Sequence, residues 1–416
     1  MTLFAASNKN MYGALQGVRV LDLTTMVSGP VATMMLADQG ADVIKVESPS
    51  GDLMRQYGSI VEGVSSSFLS CNRGKRGLCI DLKTPAGLEI VQRLAAKSDV
   101  LVQNFRPGAM DRVGLGEQAI RKIRPDIIYV SISGVGETGP YAQQRIYDPI
   151  IQALSGLAEL QADRELTVRP RMVRTIIPDK TTALTAAQAI SAALFYRERS
   201  GEGQHIRIAM LDAMVAYLWP EAISSLTFVG RERDPASGQM GLDLVFDTRD
   251  GFITAGALSD KEWLGMCRAL KREDLIDDPR FITVRSRTEN GADRRQITSD
   301  ELKQWCSADI LERLHAHNVP CAPILSRMEL LDNDQIRVND LLHIFDDPQL
   351  GQVRQPRPAA RFDKSPSHIR SLAPGLGGHN AEILLELGYS PTLCEQLQKD
   401  GVLLSSVRRQ QVGEQS

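Results

Sequence analysis

The sequence predicts an α/β fold in which helices cover a parallel sheet, together with a smaller α+β region. Two observations support this prediction. Short apolar runs alternate with helical patterns over the first third of the chain, and residues 231–325 are more polar than the rest. The chain has 416 residues, 43% of them hydrophobic and 24% charged, which is the balance of a globular protein long enough for more than one domain.

The first third of the chain predicts a series of parallel strands. Residues 18–23 and 41–46 are expected strands, and residues 30–37 between them have helical periodicity, so they form one βαβ unit. Further strands are expected at residues 77–82, 100–103 and 127–132, and helices at residues 86–96 and 117–123. Parallel strands of this kind bind ligands beyond their carboxyl ends.

The pattern changes after Pro140. Helices are expected at residues 146–160, 181–196 and 211–229, with a strand at residues 206–209. The more polar region has an expected strand at residues 251–255 and amphipathic helices near Lys261 and Leu302. Prolines within residues 352–374 predict an extended segment, which precedes short helices at residues 379–387 and 391–400.

Composition excludes several classes of function. The 48 Lys and Arg residues nearly balance the 51 Asp and Glu residues, so no overall field favours nucleic acid or an anionic membrane. The six cysteines and six histidines lack metal-ligand spacing, which predicts free thiols, a reducing cytoplasm and no metal site. The start of the chain does not resemble a signal peptide, and no stretch reaches the about 20 apolar residues of a membrane span.

The segment TTMVSGP, residues 24–30, joins the first strand to the first helix. Backbone N–H groups and the helix dipole favour a phosphate at such a position. The segment is not GxGxxG, which argues against an NAD site, although Glu47 ends the second strand where a ribose-binding acid would lie. An ordinary turn, with Gly29 and Pro30 starting the helix, is the simpler interpretation.

Two basic segments are candidates for binding an anion. NRGKR, residues 72–76, precedes one predicted strand, and NFRPGAMDR, residues 104–112, follows another. Arg and Lys at the ligand edge of a sheet suit the phosphates of a nucleotide. The alternative is solvated surface charge, and the presence of two such segments favours an anionic ligand.

Asp148 and Asp179 are each placed at the start of a predicted helix. A carboxylate there is kept ionised by the helix dipole and free N–H groups, as any helix-capping aspartate is. Capping is the simpler interpretation of both residues. In a cleft, however, an ionised and desolvated carboxylate is a competent covalent nucleophile.

Taken together, the motifs resemble the family III CoA-transferases, the CaiB/BaiF group that includes formyl-CoA transferase and the α-methylacyl-CoA racemases. The similarity covers nearly the whole chain and is specific as a set. The matching segments are GVRVLDLTTMVSGP, ADVIKVESPSGD, NRGKRGLCIDLKTPAG, NFRPGAMDRVG, SISGVGETGPY, YDPIIQALSGL, the Asp179 segment, SGEGQHIRIAMLDA and, more weakly, GLGGHNAEILLELGYS.

The resemblance implies a large Rossmann-like domain built from both ends of the chain and a small α+β domain between them. The corresponding boundaries are residues 1–225 and 330–416 for the large domain and 226–329 for the small one. It also implies an interlocked homodimer, in which the proline-rich return segment wraps the partner chain with extended backbone.

The resemblance further implies that Asp179 is the nucleophile that attacks the thioester of an acyl-CoA, with Asp148 nearby to orient groups or handle protons. The residue before Asp148 separates two activities of the group. Racemases have a histidine base there, whereas this chain has Tyr147, whose pKa near 10 makes it a poor base. A transferase is therefore favoured over a racemase.

By the same resemblance, CoA is a substrate and no permanently bound cofactor is expected. The implied CoA contacts come from the loop after the first strand, from the ends of two further strands and from the segment before Asp148. They are Val27, Ser28, Ile80, Asp81, Leu82, Lys83, Asn104, Phe105, Arg106, Arg112, Arg145 and Tyr147. Lys83 and the arginines would meet phosphates, and Ile80, Leu82 and Phe105 would supply apolar surface for the adenine.

The chain departs from the family pattern at three places. Val27 stands where some members have glutamine near the thioester, and residues 377–379 are Gly-Gly-His rather than Gly-Glu-His. SGQMG, residues 237–241, has two glycines where some members carry a glycine run that closes over the intermediate.

The sequence thus predicts a cytoplasmic, homodimeric enzyme that moves CoA from an acyl-CoA to a free carboxylic acid, without nucleic-acid or membrane partners. Two alternatives remain at this point: an acyl-CoA racemase or epimerase on the same fold, and a non-catalytic CoA-binding protein in which Asp179 only caps a helix.

Overall fold

The computed structural model describes residues 13–162, 169–232 and 244–405, which form two compact units. The first unit contains the residues up to Tyr217 and those from Leu342 onward, and the second unit is Leu218–Leu341. The second unit begins before, and ends after, the small domain predicted at residues 226–329. The glycine-containing stretch at residues 237–241 lies outside the described residues.

A six-stranded parallel sheet forms the centre of the first unit, as the sequence predicts. The strands of this unit, including a short antiparallel hairpin of β3 and β4, are β1 (Arg19–Asp22), β2 (Asp42–Glu47), β3 (Ile60–Val61), β4 (Val64–Ser65), β5 (Arg76–Cys79), β6 (Val100–Gln103), β7 (Ile128–Ser133) and β8 (His205–Ala209). The sheet has the order β5-β2-β1-β6-β7-β8.

Helices cover both faces of this sheet. They are α1 (Ser28–Asp38), α2 (Ser66–Asn72), α3 (Pro85–Ala96), α4 (Ala109–Arg112), α5 (Glu117–Ile123), α6 (Asp148–Leu154), α7 (Leu157–Leu160), α8 (Ile177–Ser200) and α9 (Met210–Leu218). On one face, the alanine-rich side of α8 packs with α1 over the strands, because Ala183 and Ala186 are small enough to allow close approach. The other face is covered by α3 and α5 and by the C-terminal helices of the unit.

Two helices are shorter than the sequence predicts, and each has a local cause. The helix expected at residues 146–160 is divided into α6 and α7, because Gly156 adopts a left-handed φ of +86°. The helix expected at residues 211–229 ends at Leu218, two residues before Pro220, since proline cannot continue a helix and also restricts the residue before it.

The second unit contains a three-stranded antiparallel sheet and five helices within its described residues. These are β9 (Val245–Asp247), β10 (Phe252–Ala255) and β11 (Cys321–Pro323), with α10 (Asp260–Leu270), α11 (Val284–Glu289), α12 (Gly291–Leu302), α13 (Ser307–Ala316) and α14 (Asp334–Val338). Its core is formed around Trp263 and Phe281, whose rings are 5.4 Å apart.

The return segment completes the first unit. It forms the antiparallel pair β12 (Leu342–Asp347) and β13 (Gly351–Pro356), followed by α15 (Asn380–Glu386) and α16 (Pro391–Lys399). Beyond α16, Leu403 forms an antiparallel bridge with Ile80 beside the edge strand β5. Within the three described ranges, no helix is both long and apolar enough to cross a membrane.

Candidate active site

The loop between β1 and α1, residues 23–27, has a demanding backbone conformation at the carboxyl edge of the sheet. Met26 has a φ of +68°, which non-glycine residues rarely adopt. At Gly29, in the first turn of α1, a Cβ atom would lie 2.4 Å from the Cβ of Thr24, so only glycine allows this close turn. Such a conformation persists where surrounding bonds fix the backbone.

Buried side chains supply those bonds. The N–H of Thr24 donates to Asp22 Oδ1 at 2.9 Å, and the carbonyl of Thr24 accepts from Lys45 Nζ at 2.9 Å. The N–H of the strained Met26 donates to Asp52 Oδ1 at 3.1 Å. The backbone of the loop is therefore fixed by hydrogen bonds to charged side chains from β1, β2 and the segment after β2.

These charged groups form a closed cluster, which we call the charge cluster: Asp22, Lys45, Asp52 and Lys75. Lys75 Nζ lies 2.9 Å from Asp22 Oδ2, and Lys45 Nζ lies 2.9 Å from Asp52 Oδ2, with all four side chains fully buried. Burial alone would raise the pKa of Asp22, but the Lys75 and Lys45 ammonium groups outweigh it and hold that pKa well below its usual range. Burial lowers the pKa of Lys75 to about 8, although Asp22 opposes this effect.

The charge cluster was not predicted from the sequence, although one signal for it was present. Lys45 interrupts the otherwise apolar centre of β2, whose residues from Val43 to Glu47 are all buried. A lysine in a buried strand requires a carboxylate partner.

Asp148 and Asp179 meet at the start of α8. Asp148 is the first residue of α6 and only 2% exposed. Its Oδ2 accepts the backbone N–H of Asp179 at 3.2 Å, and its Oδ1 accepts from Gln152 Nε2 at 2.7 Å. Asp148 thus binds the first turn of α8, rather than capping its own helix. Gln152, four residues after Asp148, was also missed, although this spacing places two residues on one face of a helix.

Asp179 is the third residue of α8 and is partly buried. Burial, and next the adjacent carboxylate of Asp148, raise its pKa to about 6, while the hydroxyl and backbone N–H groups of Ser28 oppose this shift. No ion pair to Asp179 is present among the described residues. The carboxylate is therefore ionised at neutral pH yet poorly solvated, which is the state that a carboxylate nucleophile requires.

A sequence model described as "CoA-transferase family III" matches residues 15–380. The chain belongs to this family. The resemblance inferred from its motifs is therefore confirmed, and the protein is a transferase.

Relatives and solved structures agree with this assignment. The chain of this CoA-transferase is 36% identical over 397 residues to succinyl-CoA:glutarate CoA-transferase of Mus musculus, covering 94% of this chain and 90% of that protein. It is 32% identical over 419 residues to formyl-CoA:oxalate CoA-transferase of Streptomyces avermitilis, covering 94% and 100%. A CaiB/BaiF family crystal structure from Brucella suis matches with a TM-score of 0.78 at 32% identity, covering 90% of this chain and 100% of that one.

The four basic residues predicted to meet phosphates of CoA lie on the surface of the CoA-transferase. Lys83, Arg106, Arg112 and Arg145 are exposed, and none of them has an ion pair within the described residues. Lys83 follows β5, and Arg106 and Arg112 follow β6. These cations are thus available to an anionic ligand at the carboxyl edge.

The other predicted CoA residues lie in different surroundings. Phe105 and Tyr147 are exposed, whereas Val27 and Ser28 are buried at the start of α1. Ile80 is fully buried in the core beside its bridge to Leu403, and Leu82 packs partly buried against the same core. The remaining two use polar groups internally: the N–H of Asp81 donates to the carbonyl of Val402, and Asn104 bonds the backbone of Thr25.

The cations of the NRGKR segment are paired within the protein, so they are neither solvated charge nor free cations at the ligand edge. Arg73 pairs with Asp38 at 2.8 Å, and Lys75 belongs to the charge cluster. Arg76 pairs with Asp42 at 2.7 Å at the amino end of β5, which is the edge opposite to the ligand edge. Both interpretations considered for this segment were wrong, because each cation has a carboxylate partner more than 30 residues away in the sequence.

A cavity of about 300 Å³ lies beside the second basic segment, against the carboxyl half of the sheet. Phe105 and Arg106 line it, as do Ser131 and His205, whose Oγ and Nε2 atoms are 2.8 Å apart. Neither Asp148 nor Asp179 lines it. Across the described ranges, no group of three or more His, Cys, Asp or Glu side chains is arranged to hold a metal ion.

Proposed function

We propose that this CoA-transferase moves CoA from an acyl-CoA to a free carboxylic acid through covalent intermediates on Asp179. The observation that carries the proposal is the environment of this carboxylate: it is partly buried beside Asp148, Ser28 opposes the rise in its pKa, and no ion pair to it is present among the described residues. Membership of the family and the names of the relatives support CoA transfer itself.

The proposed reaction has four steps that balance without a net proton. An Asp179 oxygen attacks the thioester carbon, giving a mixed anhydride and CoA thiolate. The thiolate attacks the Asp179 carbonyl, giving an aspartyl-CoA thioester and releasing the donor carboxylate. The acceptor carboxylate attacks this thioester to form a second anhydride, and the thiolate then attacks the acyl carbonyl of the acceptor, releasing the new acyl-CoA and free Asp179.

This chemistry requires exclusion of water, since both intermediates hydrolyse. The raised pKa of Asp179 supports the proposal because it reflects desolvation of the carboxylate. Asp148 has a positioning role in the scheme: its bond to the Asp179 N–H fixes the first turn of α8. The hydroxyl and N–H groups of Ser28 stabilise the ionised form of Asp179. In the proposed scheme, the same donors stabilise the negative charge that develops as the anhydride forms.

We further propose that CoA is bound through the exposed cations Lys83, Arg106, Arg112 and Arg145, and that Phe105 and Leu82 contribute apolar contacts to the adenine. The absence of internal ion pairs for these four cations among the described residues supports this assignment.

The acceptor acid is proposed to be a dicarboxylate. The names of the relatives pair succinyl-CoA with glutarate and formyl-CoA with oxalate. An activity screen of succinyl-CoA against mono- and dicarboxylic acids of two to six carbons tests this proposal. A preference for monocarboxylic acids would contradict it.

The enzyme is also proposed to act as the interlocked homodimer that its family resemblance implies. Native mass spectrometry tests this proposal, with a mass twice that of the chain as the expected result and a monomer as the contrary one.

The covalent mechanism is tested by trapping the intermediate. With acyl-CoA and hydroxylamine, the wild-type enzyme should lose activity and gain a hydroxamate at Asp179, detected by peptide mass spectrometry. Asp309→Ala is a matched control, because Asp309 is also the third residue of a helix but lies in the second unit; this variant should still be inactivated. Exchange of the α-proton without any adduct would instead favour a racemase. If neither an adduct nor exchange of the α-proton is seen, the protein is a non-catalytic CoA-binding protein.

A further inference from the structure

Asn104 makes two hydrogen bonds to a single residue of the β1–α1 loop. The N–H of Thr25 donates to Asn104 Oδ1 at 2.9 Å, and Asn104 Nδ2 donates to the carbonyl of Thr25 at 2.8 Å. The side chain reaches the loop from the carboxyl end of β6, the neighbour of β1 in the sheet. Both polar groups of the amide are therefore used within the protein.

With these bonds, three consecutive residues of the loop have backbone groups that are hydrogen-bonded to side chains. Thr24, Thr25 and Met26 are consecutive, and the backbone of each is bound by side chains from elsewhere in the unit. The hydrogen bonds to Thr24 and Met26 come from the buried charge cluster, whereas those to Thr25 come, among the described residues, from Asn104. Because Met26 is strained, the loop would relax if this set of bonds were incomplete.

The loop leads directly into Ser28, the first residue of α1, whose hydroxyl and N–H groups hold the pKa of Asp179 below the value that burial and Asp148 would give. Ser28 is 4% exposed and lies in the first turn of α1, so its place depends on the backbone that precedes it. A shift of the loop would therefore move both donors relative to the carboxylate.

We propose that Asn104 is a positioning residue, which places the donors of Ser28 against Asp179 through the β1–α1 loop instead of binding CoA with its side chain. This inference rests on the proposed role of Asp179 as nucleophile. It gives Asn104 a function that the family resemblance does not, since the resemblance implies a CoA contact.

The test compares Asn104→Ala, Ser28→Ala and the double variant by the pH dependence of kcat/KM and by CoA binding in calorimetry. Each single variant should move the acid limb of the profile upward by about one pH unit, because the carboxylate loses donors that favour its ionised form. The double variant should move it no further than the larger single shift, since both substitutions remove the same contact. The dissociation constant of CoA should change less than about threefold.

A direct CoA contact by Asn104 gives a different outcome. CoA binding would then weaken by about tenfold or more, the acid limb would stay in place, and the two substitutions would combine additively. Either that result or unchanged kinetics in Asn104→Ala would overturn the inference. If Asn104→Ala does not fold, Asn104→Leu keeps the side-chain volume while removing both bonds and carries the same expectations.

Asn380→Ala is the matched control. Asn380 also bridges two backbone segments, accepting from the N–H of Cys79 at 2.9 Å and donating to the carbonyl of Leu404 at 2.8 Å, but it does not contact the loop. Its loss should lower the melting temperature without moving the acid limb.

A readout without activity separates this inference from the proposed function. The melting temperatures of the wild type and of Asn104→Ala are measured against pH, each with and without the additional substitution Asp179→Asn. In each protein, the difference that Asp179→Asn makes reports the ionisation of Asp179 directly. If Asp179→Ala keeps full activity, the proposed function fails, whereas a shift of this stability curve in Asn104→Ala still supports the positioning role. If the curve does not shift, the positioning role fails whatever the activity.

Discussion

Asp22 and Asp179 are both aspartates near the carboxyl edge of the same sheet, yet their surroundings are opposite. Asp22 is fully buried and accepts hydrogen bonds from Lys75, Thr24 and Thr33. Asp179 is partly buried and lies beside a second carboxylate, Asp148, and among the described residues the rise in its pKa is opposed by the neutral hydroxyl and N–H groups of Ser28. The pKa of Asp22 is held low, whereas that of Asp179 is raised to about 6.

The difference shows how one side-chain type acquires two roles within a small region. Lysine partners make Asp22 a permanent anion that orders the loop above it. The absence of a cation among its described neighbours leaves Asp179 as a less stable anion, which gains from forming a covalent bond. The β1–α1 loop connects the two, because it is anchored on Asp22 and ends at Ser28.

The largest expected effect is that of Asp179→Ala on transfer. Loss of the nucleophile should lower kcat by more than about a thousandfold, while CoA binding changes by less than about tenfold because the phosphate contacts remain. Steady-state exchange assays and calorimetry measure the two quantities. Full activity of this variant would refute the assignment.

Asp22→Asn should lower the stability of the folded protein as well as its activity. It leaves the buried Lys75 without its carboxylate partner, which we expect to lower the free energy of unfolding by about 3–5 kcal/mol. Urea unfolding at pH 7.5 measures this loss. The surface substitution Asp309→Asn is the control and should lower it by less than about 0.5 kcal/mol. A stable Asp22→Asn protein would mean that the charge cluster does not hold the loop.

Asp179→Asn should raise the free energy of unfolding at neutral pH, whereas Asp22→Asn lowers it. Since the pKa of Asp179 is about 6 in the folded protein and 3.8 in the unfolded reference, the folded state retains a proton that the unfolded chain loses. That stabilisation is lost as the pH rises through about 6. The asparagine variant should therefore match the wild type near pH 4 and exceed it by about 2–3 kcal/mol above pH 7. Equal stability at both pH values would mean that Asp179 is not desolvated.

The smallest expected effect concerns the surface cations. Arg112→Ala should weaken CoA by about 1.5–3 kcal/mol if Arg112 meets a phosphate. Arg285→Ala, at an exposed arginine of the second unit, should leave CoA affinity unchanged. Calorimetric titration distinguishes the two variants, and equal affinities would assign Arg112 to the structural residues.

Much of the fold could be predicted because the local patterns agree with it. The ranges of β6 and α5 were predicted to the residue, and the βαβ unit at the start was correct, since apolar periodicity reports burial directly. The pair β12–β13 was missed. The prolines within residues 352–374 predicted an extended segment without paired strands, but Pro356 is the last residue of its strand, where a missing N–H is tolerated.

The site was predicted unevenly for a different reason. The residues alone marked Asp179 as a helix cap or a possible nucleophile, and only the resemblance favoured the second role, because the environment of Asp179 depends on Asp148, 31 residues earlier, and on Ser28. The partners of Arg73, Lys75 and Arg76 are equally distant, so sequence spacing could not reveal that these cations are internally paired. Pairing across the sheet is a property of the fold, which local patterns do not encode.

The bridge between Ile80 and Leu403 has a consequence for synthesis on the ribosome. The N–H of Asp81 and the carbonyl of Cys79 are bonded to Val402 and Leu404, so the segment beside β5 is incomplete until the last described residues have emerged. The second unit, whose residues are continuous, can form its core earlier. We therefore expect the nascent chain to carry an unprotected strand edge until residues 402–404 have been translated, and to depend on chaperones during that interval.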